Sequence, residues 1–304
     1  MKRIVKRVGV GLLVVVALLV VSVGGCATVQ SRAFDASMAK VYDIAPLPVA
    51  RSTDPAVIAR GKHLAESIAA CAGNDCHGPD LGGGKLMEMG PLGKFQAPNV
   101  SPGGLGAAYS DGELARLIRH GVKKDGRSVT FMPVQDINWM PESDLVAVIS
   151  YVRSVPAVNK PNGPLELGTL AKVLDVRGMI VLDVARRIDH TKMDLGPAPS
   201  PTPEYGKYLG RLCTGCHGDH LSGGPIPGAP GDLPKPLNIT PHATGLADWT
   251  YEDFDKLLSE GVRKNGQKLD PFMPLEAIGK MDETERKALW AYLRTVPPMP
   301  YGGR

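Results

Sequence analysis

The chain has 304 residues, of which 43% are hydrophobic, 22% charged and only 5% aromatic, with 36 glycines and 27 prolines. That length suits two domains with packed cores, and small loop-rich units so short of aromatics leave room for a large apolar group to complete the packing. The formal charge of +4 is accounted for by Lys2, Arg3, Lys6 and Arg7 alone, so the rest of the chain is near neutral; this excludes nucleic-acid binding, which needs a basic patch on a folded domain.

Val8 to Val29 contains no charged side chain and follows those four cations, the pattern of an export or anchoring signal. Three readings compete: a cleaved signal peptide, a lipoprotein signal using Val23-Gly24-Gly25-Cys26 with Cys26 acylated, and an uncleaved helix. The run reaches the ~20 apolar residues a membrane span needs, and the cations would stay cytoplasmic. An uncleaved anchor over residues 1–30 is favoured, the lipoprotein second; both place Gln30 onward outside the cytoplasm.

Asp54-Pro55 opens the next element, an N-cap with proline at the first helical position, and the helix runs through Gly61 toward Cys71. Cys71-Ala72-Gly73-Asn74-Asp75-Cys76-His77 follows, a cysteine pair with four intervening residues that Asn, Asp and Gly can bulge into a loop. Ser110-Asp111-Gly112-Glu113 has capping-box spacing, and its helix, with Leu114, Leu117 and Ile118 on one face, stops at Gly121. Phe131-Met132-Pro133 precedes a last helix that starts at Pro141, stops before Pro156, and buries Leu145, Val148, Ile149 and Val152. Val173 to Ile188 reads as a helix packed between domains, too short and charged to span a bilayer.

The pattern then recurs. Pro203-Glu204 and Gly206 match the first start; Cys213-Thr214-Gly215-Cys216-His217 lies 140 residues after the first motif's His77; Asn238-Ile239-Thr240-Pro241 matches Asn99-Val100-Ser101-Pro102; Thr250 to Asp253 is a second capping-box candidate, and its helix carries Phe254, Leu257 and Leu258 to a stop at Gly261. Phe272-Met273-Pro274 repeats the methionine loop, and a helix from Asp282 to before Pro297 buries Leu289, Tyr292 and Leu293. The units are residues 50–157 and 203–300, joined by 158–202.

Cys-x-x-Cys-His is the attachment signature of c-type haem: two thiols reach the two porphyrin vinyl groups, and the next residue turns its imidazole to the iron. A thioredoxin-like redox pair, a zinc site using Cys213, Cys216, His217 and His220, and a simple Cys71–Cys76 disulfide are the competing readings. Under the haem reading Cys71, Cys76, Cys213 and Cys216 are thioether anchors of two haems c, and His77 and His217 the proximal ligands. Met132 and Met273, each just before a proline that holds it extended, are the distal ligands; methionine there suits electron transfer. Met87, Met89 and Met179 read as core filler, Met140 and Met281 as packing residues, and His63, His120, His190 and His220, which have no match in the other copy, as surface or core residues.

These motifs, with Ala59-Arg60-Gly61, Cys216-His217-Gly218, Leu221-Ser222-Gly223-Gly224, Pro98-Asn99 and Leu237-Asn238, resemble membrane-anchored dihaem class I c-type cytochromes, similar to the cytochrome c subunits of bacterial membrane-bound alcohol and sugar dehydrogenases. The departure is the two extra residues in the first motif. The resemblance implies an all-α fold of two tandem class I cytochrome c domains behind a membrane anchor, His/Met-ligated iron, and haem domains held in the periplasm by the inner membrane. It implies an electron carrier in a respiratory chain, with redox partner proteins (a dehydrogenase or quinol donor, an oxidase or a small cytochrome). The alternatives are a dihaem peroxidase or thiosulfate-oxidising cytochrome, which needs an open haem site, and a haem-free zinc or structural module. No Ser/His/Asp constellation and no catalytic carboxylate pair is visible.

Overall fold

The computed structural model describes all residues except Met1, Asp75, Met193, Asp194, 228–230 and Asp232, with backbone alone at 2–10 and 12. The chain is largely helical. Its first helix, α1 (Lys2–Met38), is long and apolar enough over Leu13–Met38 to cross a membrane. It continues past Gln30 because Phe34, 2% exposed, packs with Ala171 and Leu182.

Two sets of helices follow, each formed by the same local signals. In the first half, α2 (Pro55–Glu66) starts where the Asp54 carboxylate accepts from the Ala56 N–H. After the four-residue α3 (Leu105–Ala108) comes α4 (Asp111–His120), held by a reciprocal Ser110/Glu113 capping box and stopped by left-handed Gly121, φ +65°. A short α5 (Val134–Ile137) follows the methionine loop and leads into α6 (Glu142–Ser154). In the second half the counterparts are α8 (Pro203–His217), α9 (Tyr251–Glu260), α10 (Leu275–Ile278) and α11 (Glu283–Leu293); α9 has a Thr250/Asp253 capping box and ends at left-handed Gly261. Asp253 serves although shorter than glutamate, because it reaches the Thr250 N–H at 3.1 Å.

The crossing of first and last helices is the same in both halves. A β-carbon on Gly61 would lie 1.9 Å from the Ala147 carbonyl oxygen, and one on Gly206 1.9 Å from that of Ala288. Glycine lets α2 lie against α6, and α8 against α11, backbone to backbone. One apolar core runs through both halves, and includes Leu64, Met140, Leu145 and Ile149 from the first and Tyr205, Leu209, Met281 and Leu289 from the second.

Several expectations are corrected. The fold is not purely helical: β1 (Met87–Glu88), β2 (Gly93–Phe95) and β3 (Leu165–Leu167) form a small antiparallel sheet, with Phe95 opposite Leu165. The helix expected over Val173–Ile188 is instead α7 (Thr169–Val176), ended by the left-handed turn at Gly178, then extended chain and a single 3-10 turn over Ala185–Arg187. It packs against α1, not between the halves. Met89 and Met179 are exposed rather than core filler and Met87 is half-buried, whereas Met140 and Met281 are buried.

Candidate functional site

The two halves present the same loop after each motif. In the second half the motif is helical: α8 carries Gly206, Cys213, Cys216 and His217 as one rigid piece. In the first half α2 stops at Glu66, and the chain reaches His77 through turns, including Ala70 at φ +48°. Beyond the histidines the geometry converges. Gly78 and Gly218 are left-handed, as are Leu81 and Leu221 at φ +57° and +58°. Such a conformation is unusual for leucine. It is held by burial of both side chains and by the Leu81 and Leu221 carbonyls, which accept from the N–H groups of Val100 and Ile239.

That loop orients the imidazoles. His77 Nδ1 lies 2.8 Å from the Pro98 carbonyl oxygen, and His217 Nδ1 2.7 Å from that of Leu237. A carbonyl only accepts, so each Nδ1 carries the proton and each Nε2 keeps the lone pair that can ligate a metal. The carbonyls are themselves fixed. Asn99 Oδ1 accepts from the N–H and hydroxyl of Ser101, and Asn238 Oδ1 from those of Thr240. Their amide nitrogens donate to the Val158 and Met299 carbonyls. Burial pushes His77 and His217 below the usual histidine range, against the pull of those carbonyl bonds, so both rings are neutral, as ligands must be.

The motif cysteines Cys71, Cys76, Cys213 and Cys216 are all half-buried. Burial pushes Cys71 and Cys213 up to about 12 and also raises Cys216. A redox-active pair needs the opposite shift, toward thiolate. Nor do Cys213, Cys216, His217 and His220 converge on a zinc: among the described residues the only group of three or more side chains gathered closely enough to hold an ion is His63, Asp282 and Glu285. There, too, the carboxylates are occupied, Asp282 capping α11 and Glu285 pairing with His63 and Arg60.

Met132 and Met273 lie half-buried against the core, on loops of matching shape. Each is followed by proline, at φ −78°, ψ 61° and φ −76°, ψ 62°, and each methionine carbonyl accepts from the residue two positions on. Beside them Phe131 and Phe272 are exposed. Each half thus carries a histidine held through Nδ1 next to its motif cysteines and a half-buried methionine on a loop of matching shape, a set of side chains compatible with a covalently attached haem.

Between the halves lies a pseudosymmetric contact that no local sequence signal marked. Arg60 donates to Asp144 and Tyr205 within 3.1 Å and to Glu285 at 2.9 Å, and His63 Nε2 is 2.8 Å from Glu285. Arg60 and Tyr205 each precede a crossing glycine, and Asp144 and Glu285 each stand in the first turn of the last helix. Trp139 meets Tyr208 edge-on, centroids 4.1 Å apart.

The family model for cytochrome c matches residues 204–297, and the second half is accordingly a cytochrome c domain. The chain is 38% identical over 94 residues to the gluconate 2-dehydrogenase cytochrome c subunit of Pantoea cypripedii, an alignment covering 29% of this chain and 21% of that protein. It is 32% identical over 140 residues to the fructose dehydrogenase cytochrome subunit of Gluconobacter japonicus, covering 43% and 28%. Against the cytochrome c subunit of the quinone alcohol dehydrogenase of Gluconacetobacter polyoxogenes it is 34% identical over 102 residues, covering 31% and 22%. The matched region thus spans between a fifth and three tenths of each relative. The likeness is to cytochrome subunits of dehydrogenases.

Proposed function

We propose that this protein is an inner-membrane-anchored dihaem cytochrome c whose two periplasmic units carry electrons from a dehydrogenase or quinol donor toward an oxidase. The observation that carries the reading is the repeated imidazole geometry: His77 on Pro98 and His217 on Leu237, in loops that match at a spacing of 139 to 140 residues. A first half that had lost its haem would have no need to keep that bond, the asparagine clamp and the Met132 loop together.

In this reading Cys71, Cys76, Cys213 and Cys216 would form the thioethers, and His77, His217, Met132 and Met273 would be the iron ligands. The haem supplies the one-electron change and the protein its potential and burial. The Pro98 and Leu237 carbonyls, by accepting the Nδ1 protons, fix ring orientation and make Nε2 a stronger donor. Met132 and Met273 fill the position an enzyme would leave open, which weighs against a peroxidase or thiosulfate oxidase. The named relatives support a dehydrogenase as partner, and α1 supports the anchor.

The test is haem per polypeptide by pyridine haemochrome, on protein made with the c-type maturation machinery. Two haems are expected. One would mean the expanded Cys71–His77 motif stays empty and would reduce the protein to a monohaem carrier; none would return it to zinc or disulfide chemistry. Cyanide or peroxide binding at a high-spin haem would favour the enzyme.

A further inference from the structure

We infer that the turn Arg177-Gly178-Met179 is a second membrane contact, seated on an anionic phospholipid surface beside the point where α1 leaves the bilayer. This rests on the anchored reading of α1.

The two helices run antiparallel. Lys172, early in α7, pairs with Asp35 at 2.7 Å, and Arg177, just past its end, donates from Nε to Gln30 Oε1 at 3.1 Å. Phe34 is buried between these two links. As its numbering rises, α7 therefore descends along α1 toward the uncharged stretch. Val8 to Val29 at 1.5 Å per residue spans about 33 Å, close to the ~30 Å of a bilayer's hydrocarbon, and so Gln30 stands at its outer boundary. If Cys26 is acylated instead, the lipid is attached about 6 Å along the same helix from Gln30, and the level hardly changes. Either way Arg177 lies among the headgroups and the residues after it lie nearest the lipid.

The turn is built to project an apolar side chain there. Gly178 is left-handed at φ +72°, and the N–H groups of Gly178 and Met179 return to the carbonyls of Asp175 and Leu174. In this helix-ending motif the residue at position 179 normally packs back on the one at 174, yet Met179 is 53% exposed, and Val29 on α1 is exposed as well. Arg32, Arg177 and Arg187 are all exposed, with the Arg187 guanidinium beside Gly178. An apolar tip flanked by Arg177 and Arg187 is the composition that suits an anionic interface. Because β3 ties the chain just before α7 to β2, this second foothold would fix how the first half tilts over the membrane.

The haem-loaded full chain would be placed in nanodiscs of mixed phosphatidylcholine and phosphatidylglycerol carrying a diazirine phospholipid, irradiated, and mapped by mass spectrometry. Label is expected on α1, or a diacylglyceryl group on Cys26, together with label at 177–179. The loop label should be lost in M179D, a surface change that leaves the fold intact, and reduced in discs of phosphatidylcholine alone. A labelled α1 or acylated Cys26 with residues 177–179 unlabelled overturns the inference while the anchor stands, and label unchanged without phosphatidylglycerol overturns the choice of an anionic surface. If α1 is unlabelled and Cys26 unmodified, the anchored reading fails and takes this inference with it.

Discussion

Gly206→Ala is the most direct probe of how the second half holds its haem helix. A β-carbon at Gly206 would sit 1.9 Å from the Ala288 carbonyl oxygen, 2.5 Å from its carbon and 2.7 Å from Tyr292 Cβ. None of these is the tip of a flexible side chain, so α8 and α11 must move apart. Overpacking costs about 1–3 kcal/mol and backbone contact places this case at the top of that range, while alanine returns about 1 kcal/mol of helix propensity. The net loss is about 2 kcal/mol. Gly210→Ala on the same helix is the control: its β-carbon would meet Cε1 and Cδ1 of the Tyr292 ring at 2.6 and 2.9 Å. A ring edge can swing aside, so a cost of about 1 kcal/mol is cancelled by the same propensity gain. Thermal unfolding of the haem-loaded chain should show G206A melting about 4–8 °C below the parent, taking ~2–4 °C per kcal/mol at this size, with G210A within a degree or so. Equal melting points for the two variants would refute the argument that backbone contact at Gly206 sets the helix crossing.

Glu285→Ala should destabilise the chain by about 3 kcal/mol, the lower end for breaking a buried pair, since Arg60 and His63 are partly exposed; urea unfolding at neutral pH measures it. The hydrogen bond to Glu285 raises His63 above its usual range, so the pair's contribution is full below that range and is lost as pH rises through the raised pKa; the gap between parent and E285A should narrow in alkali, and a constant gap would remove His63 from the account. His120 and His190 face each other, Nδ1 to Nδ1 at 3.2 Å. Burial, then His190, lowers His120 from 6.5 to about 4. Its neutral form stabilises the native state above its ordinary pKa and that stability fades as pH falls toward 4. Protection factors across residues 184–190, corrected for the intrinsic pH dependence of amide exchange, should therefore fall between these values; protection that stays constant would discount the pair. Met273→Ala should keep the haem count by pyridine haemochrome but lower the second haem's reduction potential; an unchanged potential would exclude Met273 as ligand.

What was legible in the amino-acid sequence was local. Asp54 and Ser110 as caps, Gly121 and Gly261 as stops, and the spacing of both motifs act over a few residues, and each is found where those residues stand. The repeat added a longer reach because two copies of one pattern fold alike, even to the left-handed Leu81 and Leu221. The tertiary structure alone decided which carbonyls hold His77 and His217, some 20 residues away along the chain. It alone joined Arg60 to Glu285 across 225 positions and laid α7 on α1. The linker departs from its helical pattern for the same reason. Its apolar pattern over Val173–Ile188 fits a helix, but Asp175 Oδ1 accepts from the N–H groups of Leu182 and Asp183. A buried carboxylate that must be satisfied outweighs helix propensity, and its partners are set by packing, which no short window of residues contains.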